Sequence, residues 1–112
     1  MAERKYKTFE EFWPYYVGEH ANATCRNLHF VGTSLAFLNL ALLVLTRNPW
    51  HLPGAIVSGY FFAWVGHFAF EKNRPATFTY PLWSLRGDFK MYFLMLTGRM
   101  AAEIARLRTA AA

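Results

Sequence analysis

At 112 residues the chain has room for about one domain. Hydrophobic residues make up 54% of it and charged residues 17%, against about 25% charged in soluble domains, which argues against an ordinary water-soluble fold. The net charge of +5 does not point to nucleic acid, because the cations are interrupted by apolar blocks instead of forming a stripe. A lone cysteine, Cys25, rules out an internal disulfide.

The chain starts "MAERKYKTFEEFW", polar and of mixed charge, with no apolar run of the kind that forms a secretory signal. Phe9 to Arg26 reads as one or two surface helices. Thr8 with Glu11 has the spacing of a capping box, and Pro14 fits a first turn or a kink.

Leu28–Leu45 and Leu52–Phe70 contain no Lys, Arg, Asp or Glu. As helices each is roughly 27–28 Å long, close to the hydrocarbon thickness of a bilayer. "TRNPWH" between them is a short turn, broken at Asn48-Pro49, with Trp50 suited to the membrane interface. The expected fold class is therefore an all-α membrane protein: a transmembrane helical hairpin with spans at 28–45 and 52–70, flanked by interfacial or amphipathic helices. The whole of 1–112 is expected to be a single membrane-embedded domain.

"KNRPATFTYPLWSLRGD", Lys72 to Asp88, reads as a proline-punctuated loop. Phe89, Phe93, Leu96, Met100, Ile104 and Leu107 then recur at helical spacing and predict an amphipathic helix over about 88–108. The closing "TAAA" is expected to fray. Arg4, Lys5, Lys7 and Arg26 precede the first span, Arg47 alone lies in the turn, and seven cations follow Phe70. The positive-inside rule then sets both termini in the cytoplasm.

That topology gathers polar residues. His29 begins the first span and His67 and Glu71 end the second, so a hairpin returns them to one membrane level. His20 arrives on the same side from the flanking segment, and His51 is left at the far end. His67 and Glu71 are i,i+4 and share a helix face. His20 and His29 are about 180° apart on one straight helix, so both can serve one site only if the helix breaks near Asn22–Thr24. Ionisable groups in or beside a span point to function. Two or three imidazoles with a carboxylate match non-haem iron sites, and zinc accepts the same atoms. The bland readings are hydrogen-bonded interface histidines, a Glu71 pairing with Lys72 or Arg74, an Asn39 helix–helix bond and a Cys25 that merely fills space.

"FWPYYVGEHANATCRNLHFVGT", "VGHFAFEKNRPATF" and "YPLWSLRGDFKMYF" together resemble the 2-hydroxy fatty acid dioxygenase-like family of small membrane proteins, formerly a domain of unknown function. The likeness runs from about Phe12 to Gly98 and fits a compact, bacterial-type member. It implies an Fe(II)-dependent dioxygenase of fatty-acid α-oxidation, taking a 2-hydroxy fatty acid and O2 to the acid one carbon shorter. It also implies His20, His29 and His67 as metal ligands, with Glu71 beside them in the stretch "VGHFAFEKNRPATF". Cys25 stands where many relatives carry Asn. On this reading Arg26, Lys72 or Arg74 pairs with the substrate carboxylate. Glu71 and Tyr16 are candidate catalytic groups, with Tyr80 a second possible proton donor. The implied partners are the lipid bilayer and the substrate, not nucleic acid. The implied location is the bacterial inner membrane, or the ER membrane in a eukaryote, with the site at the cytoplasmic face. Two other functions fit the residues: a non-catalytic lipid-binding or structural membrane protein, and a bis-histidine haem protein joining His29 to His67.

Overall fold

The computed structural model describes residues 5–111, so Arg4 and Ala112 lie outside the described residues. Among the described residues the chain is helical throughout, with five α-helices and no strand. They are α1 (Phe9–Gly18), α2 (Ala23–Thr46), α3 (His51–Val65), α4 (Pro81–Leu96) and α5 (Met100–Ala111). A π-helical segment, Gly66–Glu71, continues α3, and a short 3₁₀ turn spans Ala76–Phe78. The chain forms two compact units, one from residues up to Ala21 and from Ala76 onward, the other Asn22–Pro75.

The Asn22–Pro75 unit is a helical hairpin. Asn22 caps α2 by accepting the Thr24 and Cys25 backbone N–H groups at 2.8 and 3.2 Å. Arg47, in the left-handed region at φ 57°, ends α2. Contacts between the two legs run in opposite order along the chain. Cys25 lies against Gly66, Gly32 against Ser58 and Phe62, and Asn39 against Gly54 and His51. The legs are therefore antiparallel.

Two glycines set how closely the legs approach. A Cβ on Gly32 would stand 2.8 Å from the Ser58 carbonyl oxygen and 2.9 Å from Phe62 Cβ. One on Gly66 would stand 2.9 Å from Cys25 Sγ and 3.2 Å from Cys25 Cα. Such small-residue contacts are how apolar helices pack without a hydrophobic drive between them.

Most large apolar side chains of this unit point outward. Leu45 is 79% exposed, Val57 63% and Phe61 57%. By length and composition α2 is long and apolar enough to cross a membrane, and it is the one helix among the described residues that is. The second leg is not one regular helix. It begins at His51, as expected, but α-helical hydrogen bonding gives way at Gly66. There the His67 carbonyl accepts from Lys72 N and Asn73 N, beyond the i+4 partner of a regular α-helix. Lys72, at φ 56°, closes the segment. The aromatics of this leg, Tyr60, Phe61, Trp64, Phe68 and Phe70, are outward-facing and do not line an enclosed channel.

The other unit has an aromatic core. Phe9, Phe12, Trp13, Tyr16 and Val17 of α1 pack with Tyr80, Met91 and Met100. Thr8 accepts the Glu11 N–H at 3.2 Å, as the capping-box spacing predicted, while the Glu11 carboxylate takes the Lys7 N–H. Trp13 Nε1 donates to Glu103 at 2.7 Å, which ties α5 to α1. Glu103 also pairs with Arg106, and that bond chiefly holds its carboxyl down at about 2.

Three sequence expectations are corrected here. The amphipathic stretch 88–108 is not one helix. Gly98, at φ 72°, breaks it and divides the apolar stripe between α4 and α5. The loop expected to run to Asp88 stops earlier, because Pro81 sits in the first turn of α4, where its missing N–H costs nothing. The closing residues are helical through Ala111.

Gly32→Ala is expected to destabilise the protein by about 1–3 kcal/mol through overpacking. Gly59→Ala, whose Cβ meets nothing within 4 Å, should be neutral or slightly stabilising. Thermal unfolding of the two variants in one detergent checks the contrast.

Candidate metal centre

Three histidines, His20, His29 and His67, are buried, and they could hold a metal ion. The Asn22–Pro75 unit brings two of them together. His29 is one turn beyond Cys25 and one turn before Gly32, and His67 follows Gly66. The close approach at both glycines leaves the imidazoles face to edge, with ring centroids 5.0 Å apart and planes at 88°. Perpendicular rings at that distance leave no room for a porphyrin between them.

Each of the three rings is fixed through its Nδ1. His29 Nδ1 lies 2.9 Å from the Cys25 carbonyl oxygen, and His67 Nδ1 lies 2.7 Å from Asn73 Oδ1. In the other unit, His20 Nδ1 lies 2.6 Å from the Tyr16 carbonyl oxygen. An oxygen acceptor places the imidazole proton on Nδ1, so Nε2 carries the lone pair. Metal-bound histidines are commonly oriented in this way, by donating the other ring N–H to an oxygen. The donor set therefore fits a divalent metal of intermediate softness, such as iron or zinc.

The π-helical segment contributes directly. Its changed hydrogen bonding carries the chain on to Asn73, which meets the His67 ring from beyond the helix end. π-bulges are frequent at functional sites. The same segment ends at Glu71, whose carboxylate accepts the backbone N–H of Asn22 at the start of α2. A carboxylate there is favoured by the helix dipole. Glu71 thus clasps the end of the hairpin. The i,i+4 spacing puts it on the face of His67, and its carboxylate bonds across the hairpin to Asn22.

The cations expected near the site lie at that same end of the Asn22–Pro75 unit. Arg26 is half-buried, one turn into α2, and Lys72 and Arg74 are exposed just after the π-helical segment. His51 is at the opposite end, with its Nδ1 3.3 Å from Asn39 Oδ1. Cys25 is buried, its sulfur 3.7 Å from His29 Nδ1. The helix break demanded by the His20–His29 spacing is present: α1 ends at Gly18 and α2 begins at Ala23.

Tyr16 is fully buried in the aromatic unit, and its hydroxyl donates to Asp88. Tyr80 is also buried, and its hydroxyl accepts the backbone N–H groups of Lys5 and Tyr6 at 2.7 and 3.0 Å. Asp88 is the functional-looking group that sequence reasoning misses, because in the sequence it falls at the end of an apparent loop. Burial drives its carboxyl from 3.8 up to about 7, with the Tyr16 hydrogen bond opposing the shift.

Residues 6–100 match the family model described as 2-hydroxy-palmitic acid dioxygenase Mpo1-like. No curated protein and no solved structure matched the chain.

Asn73→Ala removes the acceptor for His67 Nδ1–H. It should weaken metal binding about 10–100-fold, as read by chelator competition. A second expectation follows from Asp88. Its carboxyl is raised in the folded protein, so its contribution to stability is full below about 3.8 and is lost as pH rises through about 7. Asp88→Asn should flatten the fall in melting temperature between pH 5 and pH 8.

Proposed function

This chain belongs to the Mpo1-like family, and from that premise we propose that it is a membrane-embedded, Fe(II)-dependent dioxygenase acting on 2-hydroxy fatty acids. The observation that carries the reading is the set of three buried imidazoles, each with Nδ1 committed to an oxygen. In this reading His20, His29 and His67 are the ligands. Iron(II), when bound, supplies the redox chemistry and the activation of dioxygen. The protein's own residues hold the ligands in one tautomer and place the substrate.

The reaction breaks the C1–C2 bond of the 2-hydroxy acid. C1 leaves as carbon dioxide, and C2 becomes the carboxyl carbon of the shortened acid. Those changes release four electrons, which one O2 accepts, and the remaining oxygen and hydrogen leave as water. Arg26, Lys72 and Arg74 supply positive charge for the substrate carboxylate. Arginine suits this role best, since its planar fork binds a carboxylate with two hydrogen bonds. Glu71 supports the site by closing the hairpin end that carries these cations.

The membrane placement rests on the apolar length of α2 and on the outward-facing Leu, Val and Phe side chains of both legs. Lipid, not water, is the solvent that such a surface suits. The second leg spans with α3 and the π-helical segment together, and the cation distribution orients both termini toward the cytoplasm. The acyl chain then lies along the hairpin in the bilayer, with its polar head at the histidine level.

The test is metal analysis and product analysis of the purified protein. The wild type should carry iron without a Soret band and shorten a 2-hydroxy fatty acid by one carbon in an O2-dependent way. His20→Ala, His29→Ala and His67→Ala should lose the metal and at least a hundredfold in turnover, while His51→Ala keeps both. Equal iron in all four variants would discard the proposal.

A further inference from the structure

The unit formed by α1, α4 and α5 contains a second, partly buried polar link that the ligand set does not use. Tyr16 stands at its centre. One face of its ring lies against Gly87, where a Cβ would be 3.0 Å from Tyr16 Cδ2 and Cε2. The ring also stacks on His20, with centroids 4.0 Å apart and planes at 27°, and on Trp13 at 5.5 Å and 13°. Its hydroxyl donates to Asp88, the residue after Gly87. Its backbone carbonyl receives His20 Nδ1 at 2.6 Å.

We infer that Asp88 is a positioning residue for His20 and acts through Tyr16. Gly87 lets α4 approach the Tyr16 ring, and Asp88 then fixes the ring's rotation and depth by holding its hydroxyl. A ring held at both ends presents a fixed face to the His20 imidazole. The ring face fixes the plane of that imidazole, which keeps Nδ1 in line with the Tyr16 carbonyl and so fixes the tautomer. Tyr16 is thus a support for the histidine, not a proton donor to substrate. The raised carboxyl of half-buried Asp88 agrees with a group held against a specific partner.

The inference rests on the metal-centre reading only for what His20 coordinates, so the decisive measurement needs no metal. It is the ¹⁵N spectrum of histidine-labelled, metal-free protein in detergent, with His20 assigned by its absence in His20→Gln. The wild type should show His20 as a single Nδ1–H tautomer. Asp88→Leu and Tyr16→Phe should both shift it toward a mixture of tautomers. Asp88→Asn, which keeps an oxygen for the Tyr16 hydroxyl, should restore the wild-type signal. Chelator competition with Fe(II) should show affinity reduced about 10–100-fold in Asp88→Leu and in Tyr16→Phe, with no further loss in the double variant.

Should Asp88→Leu not fold, Tyr16→Phe carries the same prediction without creating a buried apolar mismatch. An unchanged His20 signal in the folded variants would overturn the inference, as would Asp88→Asn behaving like Asp88→Leu. A fall in melting temperature with the tautomer unchanged would also overturn it, by reducing Asp88 to a packing role. If the wild type takes up no iron, the dioxygenase reading fails, and the metal-free spectrum still decides this one.

Discussion

The contact that organises the candidate centre is the glycine-mediated approach of the two hairpin legs. Without side chains at Gly32 and Gly66, the backbone of one leg reaches the other directly. His29 and His67 flank those glycines, so the distance between the legs becomes the distance between the imidazoles. A larger residue at either position would push the legs apart and separate the rings. The hairpin end is then closed by two hydrogen-bonding devices, the Asn22 cap and the Glu71 clasp on Asn22. Both satisfy N–H groups that the start of α2 would otherwise leave without partners.

The three buried imidazoles share one solution to the cost of burial. A buried imidazole needs a partner for its N–H, and each finds an oxygen of its own unit. Two of the three acceptors are backbone carbonyls four residues earlier, at Tyr16 and Cys25. They therefore come with the helix itself and need no side chain. His67 departs from this, and the π-helical segment explains why. Its own local bonding is reorganised, and the acceptor is the Asn73 side chain beyond the helix end. Neutral, oriented imidazoles are the form in which histidine binds metal, so the same bonds that make burial tolerable leave these rings in a form that could hold one.

Much of this was legible in the residues. The charge-free blocks, the Asn48-Pro49 turn and the His67–Glu71 spacing gave two antiparallel legs with their histidines at one end. The His20–His29 spacing required a break, and the break is there. Other features left no local signal. A π-helical segment shifts each helical hydrogen bond by one residue, from i+4 to i+5, and "GHFAFE" carries no residue that announces it. Gly98 fitted a continuous apolar stripe, because the 3.6-residue period resumes in phase beyond it. Pro81 was read as a loop marker, although a proline is equally at home in a first helical turn. That error hid Gly87 and Asp88, which lie on the inner face of α4. The arginine-glycine-aspartate run looked like a turn when it was the point where a helix backbone meets a tyrosine ring.

The central claim is that imidazoles from distant parts of the chain converge on a single iron ion. X-ray absorption of the iron-loaded wild type measures this most directly, because histidine rings give a distinctive multiple-scattering pattern that can be counted. The account predicts three imidazole nitrogens on iron, with oxygen ligands filling the remaining positions. An iron surrounded by oxygen alone, or by the four equatorial nitrogens of a porphyrin, would contradict it.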